Sequence, residues 1–178
     1  MGLLGSGLSL YLPWPLEALS LQRLTYRLIL LLALATAQRT QTLQAISLPN
    51  LRQIIHGYAI EIPKLIKTSR PGTFQPLLEL PRFPNNPPLC VPTTLESYVA
   101  ATAPLRGSEE QLFITYTNPY RAASKDTVSR WLRTTLVLCG IDRRFPAHST
   151  RYAASSKALK KGVSLDKIRK AACWSKES

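Results

Sequence analysis

An apolar run near the start of the chain constrains the fold more than any other feature. Leu28 to Ala37 reads LILLLALATA, and a helix drawn over residues 21–37 is apolar almost all round. A helix without a polar face has to be surrounded by other elements. Ser20, a good N-cap residue, stands directly before it. The sequence therefore predicts a buried central helix.

The same run imitates a secretory signal or a membrane span. A span needs about 20 apolar residues, and this run is much shorter. Some 27 residues precede it, including Pro13, Trp14 and Pro15, which make a poor start for a signal peptide. We therefore expect a core helix and no membrane partner, with a secreted or membrane protein as the weakest alternative.

A small antiparallel sheet is expected after the first helix. Tyr58, Ile60 and Ile62 alternate with Ala59 and Glu61, a period of two, and Leu77 to Leu80 can return as the partner strand. TSRPG supplies turn chemistry for a hairpin near residues 68–73. A proline-rich connector over residues 81–92 follows.

The remaining sequence is mainly helical. The pattern T-T-L-E from Thr93 to Glu96 indicates a capping box and a helix ending near Pro104. Gln111 to Thr115 could form a short strand. Further helices are predicted from Ser124 to Gly140, from His148 to Gly162, and from Ser164 onward. The fold class is therefore α+β and mainly helical, with an irregular lead-in over residues 1–19 and one domain over residues 20–178.

Net charge points to a polyanionic partner. Lys and Arg number 23 against 10 Asp and Glu, a net charge of +13. Residues 121–178 carry 14 of the basic and 4 of the acidic residues, a net of +10. Lys and Arg release condensed counterions when they neutralise phosphates, so a polyanion is the expected partner. A solvated basic face without a ligand is the alternative.

His148 and Arg151 form the most informative pair, in AHSTRYAAS. A spacing of three places both on one helical face, near a helix N-terminus that favours anions. Such a pair could hold one phosphate. By itself the pattern is weak, because about one chain in six of this composition contains H-x-x-R by chance.

Three further residues are candidates on weaker grounds. Arg39 ends the apolar helix and suits a phosphate clamp. An arginine at a helix end is, however, commonly one that extends its charged group to solvent and has no ligand. Lys67 precedes the TSRPG turn and could enter a groove, although turn lysines are usually solvated. Trp174 can donate one N–H, although a core-capping indole is the simpler reading. The three cysteines form no C-x-x-C pair, so no metal site is expected.

The order of these residues resembles that in the tyrosine recombinase (phage integrase) family. The local sequence around them looks closer still to the recombinases of DIRS-type retrotransposons. Five ordered segments carry the resemblance, which together are far more specific than any one of them. They read LLALATAQRTQTL, LIKTSRPG, SKDTVSRWL, AHSTRYAASSKA and ACWSKES.

The resemblance implies a C-shaped basic clamp that grips double-stranded DNA and works without a metal or other cofactor. Arg39 and Arg151 would bind the scissile phosphate, and His148 would add a hydrogen bond and assist proton transfer. Lys67 would be the general acid for the leaving oxygen, and Trp174 would touch the same phosphate. A homo-oligomer on DNA is implied, in the nucleus for a eukaryotic mobile element and otherwise in the cytoplasm.

Three departures from the family pattern stand out. The nucleophilic tyrosine is expected a few residues after Trp174, and all seven tyrosines precede it. Thr42 stands where an acidic residue is usual. The separate N-terminal clamping domain is missing. We therefore expect a C-terminally truncated recombinase fragment that binds DNA without cutting it; the alternative is a domesticated DNA-binding module without catalysis.

Overall fold

The computed structural model describes residues 15–62 and 77–164. Within these ranges lie five α-helices and three strands. The helices are α1 (Leu21–Thr36), α2 (Thr40–Gln44), α3 (Val91–Thr102), α4 (Lys125–Leu138) and α5 (Ser149–Lys160), and the strands are β1 (Leu51–Ile54), β2 (Gly57–Glu61) and β3 (Leu77–Pro81). The domain is α+β and mainly helical, as expected.

Helix α1 is the centre of the molecule. The Ser20 side chain accepts a hydrogen bond from the Arg23 amide at 3.3 Å and caps its start. Leu28, Ile29 and Leu32 are fully buried, and α3, α4 and α5 all pack against this helix. The predicted central helix is confirmed. No helix in the described ranges is long and apolar enough to cross a membrane.

One charged side chain is buried inside this apolar helix. Arg27 is 1% exposed and donates a hydrogen bond to the carbonyl of Pro88. Burial lowers the pKa of its guanidinium. The proline-rich connector is thereby fastened to α1.

The sheet has the order β1-β2-β3, and both pairs are antiparallel. Ile60, Leu78 and Leu80 turn one face into the core. Gly57 has φ +149°, and a Cβ there would overlap the carbonyl of Leu80. The close approach of β2 to β3 at this position therefore requires glycine. The two predicted strands are confirmed, and the turn near residues 68–73 lies outside the described residues.

The capping box predicted at Thr93 is wrong. Helix α3 begins two residues earlier at Val91, with Pro92 in its first turn, where the fixed φ of proline favours helix initiation. Glu96 instead accepts hydrogen bonds from Tyr58 and Arg82. The proposed strand at Gln111–Thr115 is also absent, since this stretch makes single bridges with Ser47 and Ala122.

The two C-terminal helices begin and end where the sequence indicates. Ser124 caps α4 by accepting from the Thr127 amide at 3.2 Å, and Gly140 follows its end with φ +80°. Helix α5 stops before Gly162, which has φ +82°. The helix expected after Ser164 lies outside the described residues.

Candidate nucleic-acid interface

A sharp break between α1 and α2 carries Arg39. Ala37 ends α1 in the left-handed conformation with φ +52°, and Arg39 is the extended residue that precedes α2. The Arg39 side chain is half-buried, and no described residue makes a hydrogen bond or ion pair with it. The break therefore presents a guanidinium at the edge of the core with its donors uncommitted to the described residues.

The N-terminus of α5 carries the second part of the site. Ala147 and Thr150 are buried, and the Thr150 hydroxyl donates to the Ala147 carbonyl at 3.0 Å. This anchors the first turn, so that His148 is exposed and Arg151 is half-buried. The amides of Ser149 and Arg151 already bond to local carbonyls, so this helix end favours anions through its dipole more than through free donors.

A hydrogen bond joins the two parts across 114 residues of sequence. Arg151 Nε donates to the carbonyl oxygen of Ala37 at 3.1 Å. Ala37 lies two residues before Arg39, so the guanidinium of Arg151 rests against the turn that carries Arg39. The spacing of His148 and Arg151 was readable from the sequence; this link to Ala37 was not.

Among the described residues, the His148 ring contacts Tyr152, one turn further along α5. Its ring centroid lies 6.2 Å from that of Tyr152, with the rings inclined at 69° in an edge-on arrangement. Tyr152 is 66% exposed. On a helix it is separated from Arg151 by about 100°, so it flanks His148 on the side away from the guanidinium.

Buried polar groups that were not expected from the sequence hold the segment after α3 against the residues that follow α2. Arg106, 7% exposed, donates to the Gln111 carbonyl at 2.7 Å and the Leu112 carbonyl at 3.3 Å. The Leu112 amide in turn donates to Ile46, just after α2. Burial lowers the pKa of Arg106. An arginine after a helix is usually solvated, so this role could not be expected from the sequence.

Of the remaining residues singled out from the sequence, only Thr42 lies among the described residues. Lys67 and Trp174 lie outside the described residues. Thr42 is 1% exposed within α2, and a neutral hydroxyl there offers Arg39 no ion pair. No group of three possible metal ligands occurs in the described ranges.

Basic side chains dominate the surface around α5. Lys157, Lys160 and Lys161 are exposed along its C-terminal half. Asp142, in the segment that precedes α5, accepts a hydrogen bond from Arg144 at 2.9 Å. Those hydrogen bonds from Arg144 hold the pKa of Asp142 below its usual range, so its charge is already paired at neutral pH. Over the described residues 141–164, the charged side chains therefore sum to a net positive charge.

Solved structures with the same architecture are site-specific recombinases. The XerH recombinase bound to its difH substrate in a pre-cleavage complex superposes with a TM-score of 0.67 over 89% of this chain. The fold is that of the tyrosine recombinase catalytic domain. The sequence identity to XerH is 14%, so the likeness to tyrosine recombinases is one of fold.

Two other solved tyrosine recombinases agree with this assignment of the fold. XerA gives a TM-score of 0.60 at 18% identity over 84% of this chain. A lambda integrase tetramer bound to a Holliday junction gives 0.50 at 15% identity over 92%. The chain spans 42% of the XerH chain, 53% of XerA and 43% of lambda integrase. No protein-family model matches the sequence, and no curated protein matches it significantly.

Proposed function

We propose that this sequence is the catalytic-domain part of a tyrosine-type site-specific DNA recombinase of a mobile element. Its local sequence motifs most resemble those of the recombinases of DIRS-type retrotransposons. In this proposal Arg39 and Arg151 hold one backbone phosphate of duplex DNA. The observation that carries it is the Arg151 Nε–Ala37 hydrogen bond of 3.1 Å. It brings two distant arginines to one turn in a fold that DNA recombinases share.

The chemistry of the residues suits a phosphate that gains charge. Guanidinium groups present a planar fork of donors that matches phosphate oxygens. An attacked phosphate gathers negative charge in its pentacovalent transition state, and fixed cationic donors stabilise that state more than the ground state. His148 adds a further donor at the same helix end. Lys67 as general acid and Trp174 as a phosphate contact complete the proposal by resemblance.

Binding without cleavage is the second part of the proposal. The last tyrosine of these 178 residues is Tyr152, which leans on His148 on the side away from Arg151. Positioned donors cannot replace an attacking atom in line with the leaving oxygen. A polypeptide of these residues alone would bind DNA, possess the phosphate clamp and form no covalent adduct. Homo-oligomers on DNA, nuclear in a eukaryotic host, belong to the same proposal.

Substitution of the two arginines tests the phosphate clamp. We expect Arg39→Ala and Arg151→Ala each to weaken binding to a labelled duplex about tenfold at fixed salt, as loss of a charge-assisted contact would. Arg133→Ala, which removes an exposed charge from α4, is the matched control and should cost less than threefold by the same conversion. Circular dichroism melts would confirm that each variant is folded. Equal losses in all three variants would refute a specific clamp.

A nicked suicide substrate tests cleavage. The polypeptide of residues 1–178 should give no denaturation-resistant protein–DNA adduct on a gel, because Tyr152, the tyrosine nearest to the proposed clamp in sequence, lies about 100° around α5 from Arg151. An adduct that disappears with Tyr152→Phe would overturn the proposal and make Tyr152 the nucleophile. An adduct that persists in Tyr152→Phe would place the nucleophile elsewhere and equally contradict binding without cleavage.

A further inference from the structure

Within the proposed clamp, the His148 side chain is held by fewer contacts than that of Arg151. It is exposed, precedes the first residue of α5, and makes no side-chain cap bond. No described residue makes a hydrogen bond with its imidazole. An unrestrained histidine of this kind samples several rotamers, and fixing one of them on DNA would cost conformational entropy.

Tyr152 supplies the restraint that the hydrogen bonds do not. The two residues are four apart on α5, so their side chains are neighbours on one face. The ring centroids lie 6.2 Å apart at 69°, within the range of favourable edge-to-face pairs. Tyr152 remains 66% exposed, so core burial does not account for a large apolar ring at this position.

We propose that Tyr152 is a positioning residue that holds the His148 imidazole toward the phosphate clamped by Arg151. Around the helix, Arg151 lies about 60° to one side of His148 and Tyr152 about 40° to the other. A ring at the Tyr152 position therefore limits the swing of the imidazole away from Arg151. The inference rests on the proposed function, since it assigns a role within the same clamp.

Proton NMR of the free protein tests the ring contact without DNA. The chain has two histidines, His56 and His148, so the imidazole signals are readily assigned with a His56→Gln variant. Tyr152→Leu should move the His148 ring protons toward their random-coil positions, and Tyr152→Phe should leave them shifted. Identical His148 spectra in wild type and Tyr152→Leu would refute the contact.

DNA affinity at fixed salt tests the consequence. Tyr152→Leu should weaken duplex binding about twofold to tenfold, the range that an aromatic pair contributes. Tyr152→Phe keeps an aromatic ring and should bind the duplex as tightly as the wild type. Phe145→Leu is the matched control, because this exposed aromatic precedes α5 and has no ring contact among the described residues. In a His148→Ala background, Tyr152→Leu should cause no further loss.

The outcomes separate the positioning role from its alternatives. Weak binding by Tyr152→Phe would mean that the phenol itself contacts DNA, and additive losses with His148→Ala would mean independent contacts; either would overturn the inference. If His148→Ala leaves binding unchanged while the ring shifts persist, the failure lies in the proposed clamp. If His148→Ala weakens binding and Tyr152→Leu does not, the failure lies in the positioning role.

Discussion

Arg151 combines a structural bond with a proposed ligand contact in one side chain. Its Nε donates to Ala37, and the planar group that this bond orients is the one proposed to face phosphate. Lysine could supply the charge but has no rigid fork to be oriented. The left-handed backbone of Ala37 aims the accepting carbonyl, so the geometry of the site begins with the conformation of an alanine.

Gly57 gives a prediction at the same scale. A Cβ there would overlap the Leu80 carbonyl at a backbone conformation of φ +149°, a region that is essentially restricted to glycine. We expect Gly57→Ala to lower the free energy of unfolding by about 3 kcal/mol. The Leu80 backbone must move away from the added Cβ, and the alanine itself is strained at this φ. Urea denaturation followed by circular dichroism measures this change.

Gly107 provides the matched comparison for Gly57. It has φ +53° with open space around the added Cβ. Gly107→Ala should therefore cost about 1 kcal/mol, from left-handed strain alone. Equal costs at the two positions would show that contact with β3 is not what requires glycine at Gly57.

Among the elements, the helix caps explain most of what could be anticipated from sequence. We expect Ser124→Ala to destabilise the protein by about 1 kcal/mol, because it removes the acceptor of the Thr127 amide. Ser129→Ala, in the middle of the same helix, should be neutral or slightly stabilising because alanine has the higher helix propensity. Thermal melts of both variants decide this, and an equal loss in the two would contradict the capping role.

Where prediction from sequence failed, long-range contacts override local signals. Strand β1 was not anticipated because Leu51 to Ile54 reads L-R-Q-I, without alternating polar and apolar residues, and is held by pairing with β2. The pattern at Thr93 suggested a cap, yet the helix had already begun before Pro92. For the site, local spacing put His148 and Arg151 on one helix, whereas the approach of Arg151 to Ala37 depends on how α5 packs on α1. The positions of Lys67 and Trp174 remain predictions.

At the scale of the whole molecule, the charge distribution predicts how salt acts on DNA binding. Three exposed lysines, Lys157, Lys160 and Lys161, lie at the end of α5. Each phosphate contact contributes about −0.9 to the slope of log K against log salt. Replacing all three with glutamine should reduce the slope by up to about 2.7 while leaving the free energy of unfolding nearly unchanged. Fluorescence titrations at several salt concentrations measure it, and an unchanged slope would place the bound DNA elsewhere.

The central position of α1 also has a consequence for how the polypeptide is made. Residues 21–36 leave the ribosome before the helices that cover them, which end at residues 102, 138 and 160. During translation the leucine-rich segment therefore waits for more than a hundred further residues before its complete set of native neighbours is available. Synthesis at about 5–20 residues per second makes that wait several seconds or longer, long enough for a nascent chain to need a chaperone over this one segment.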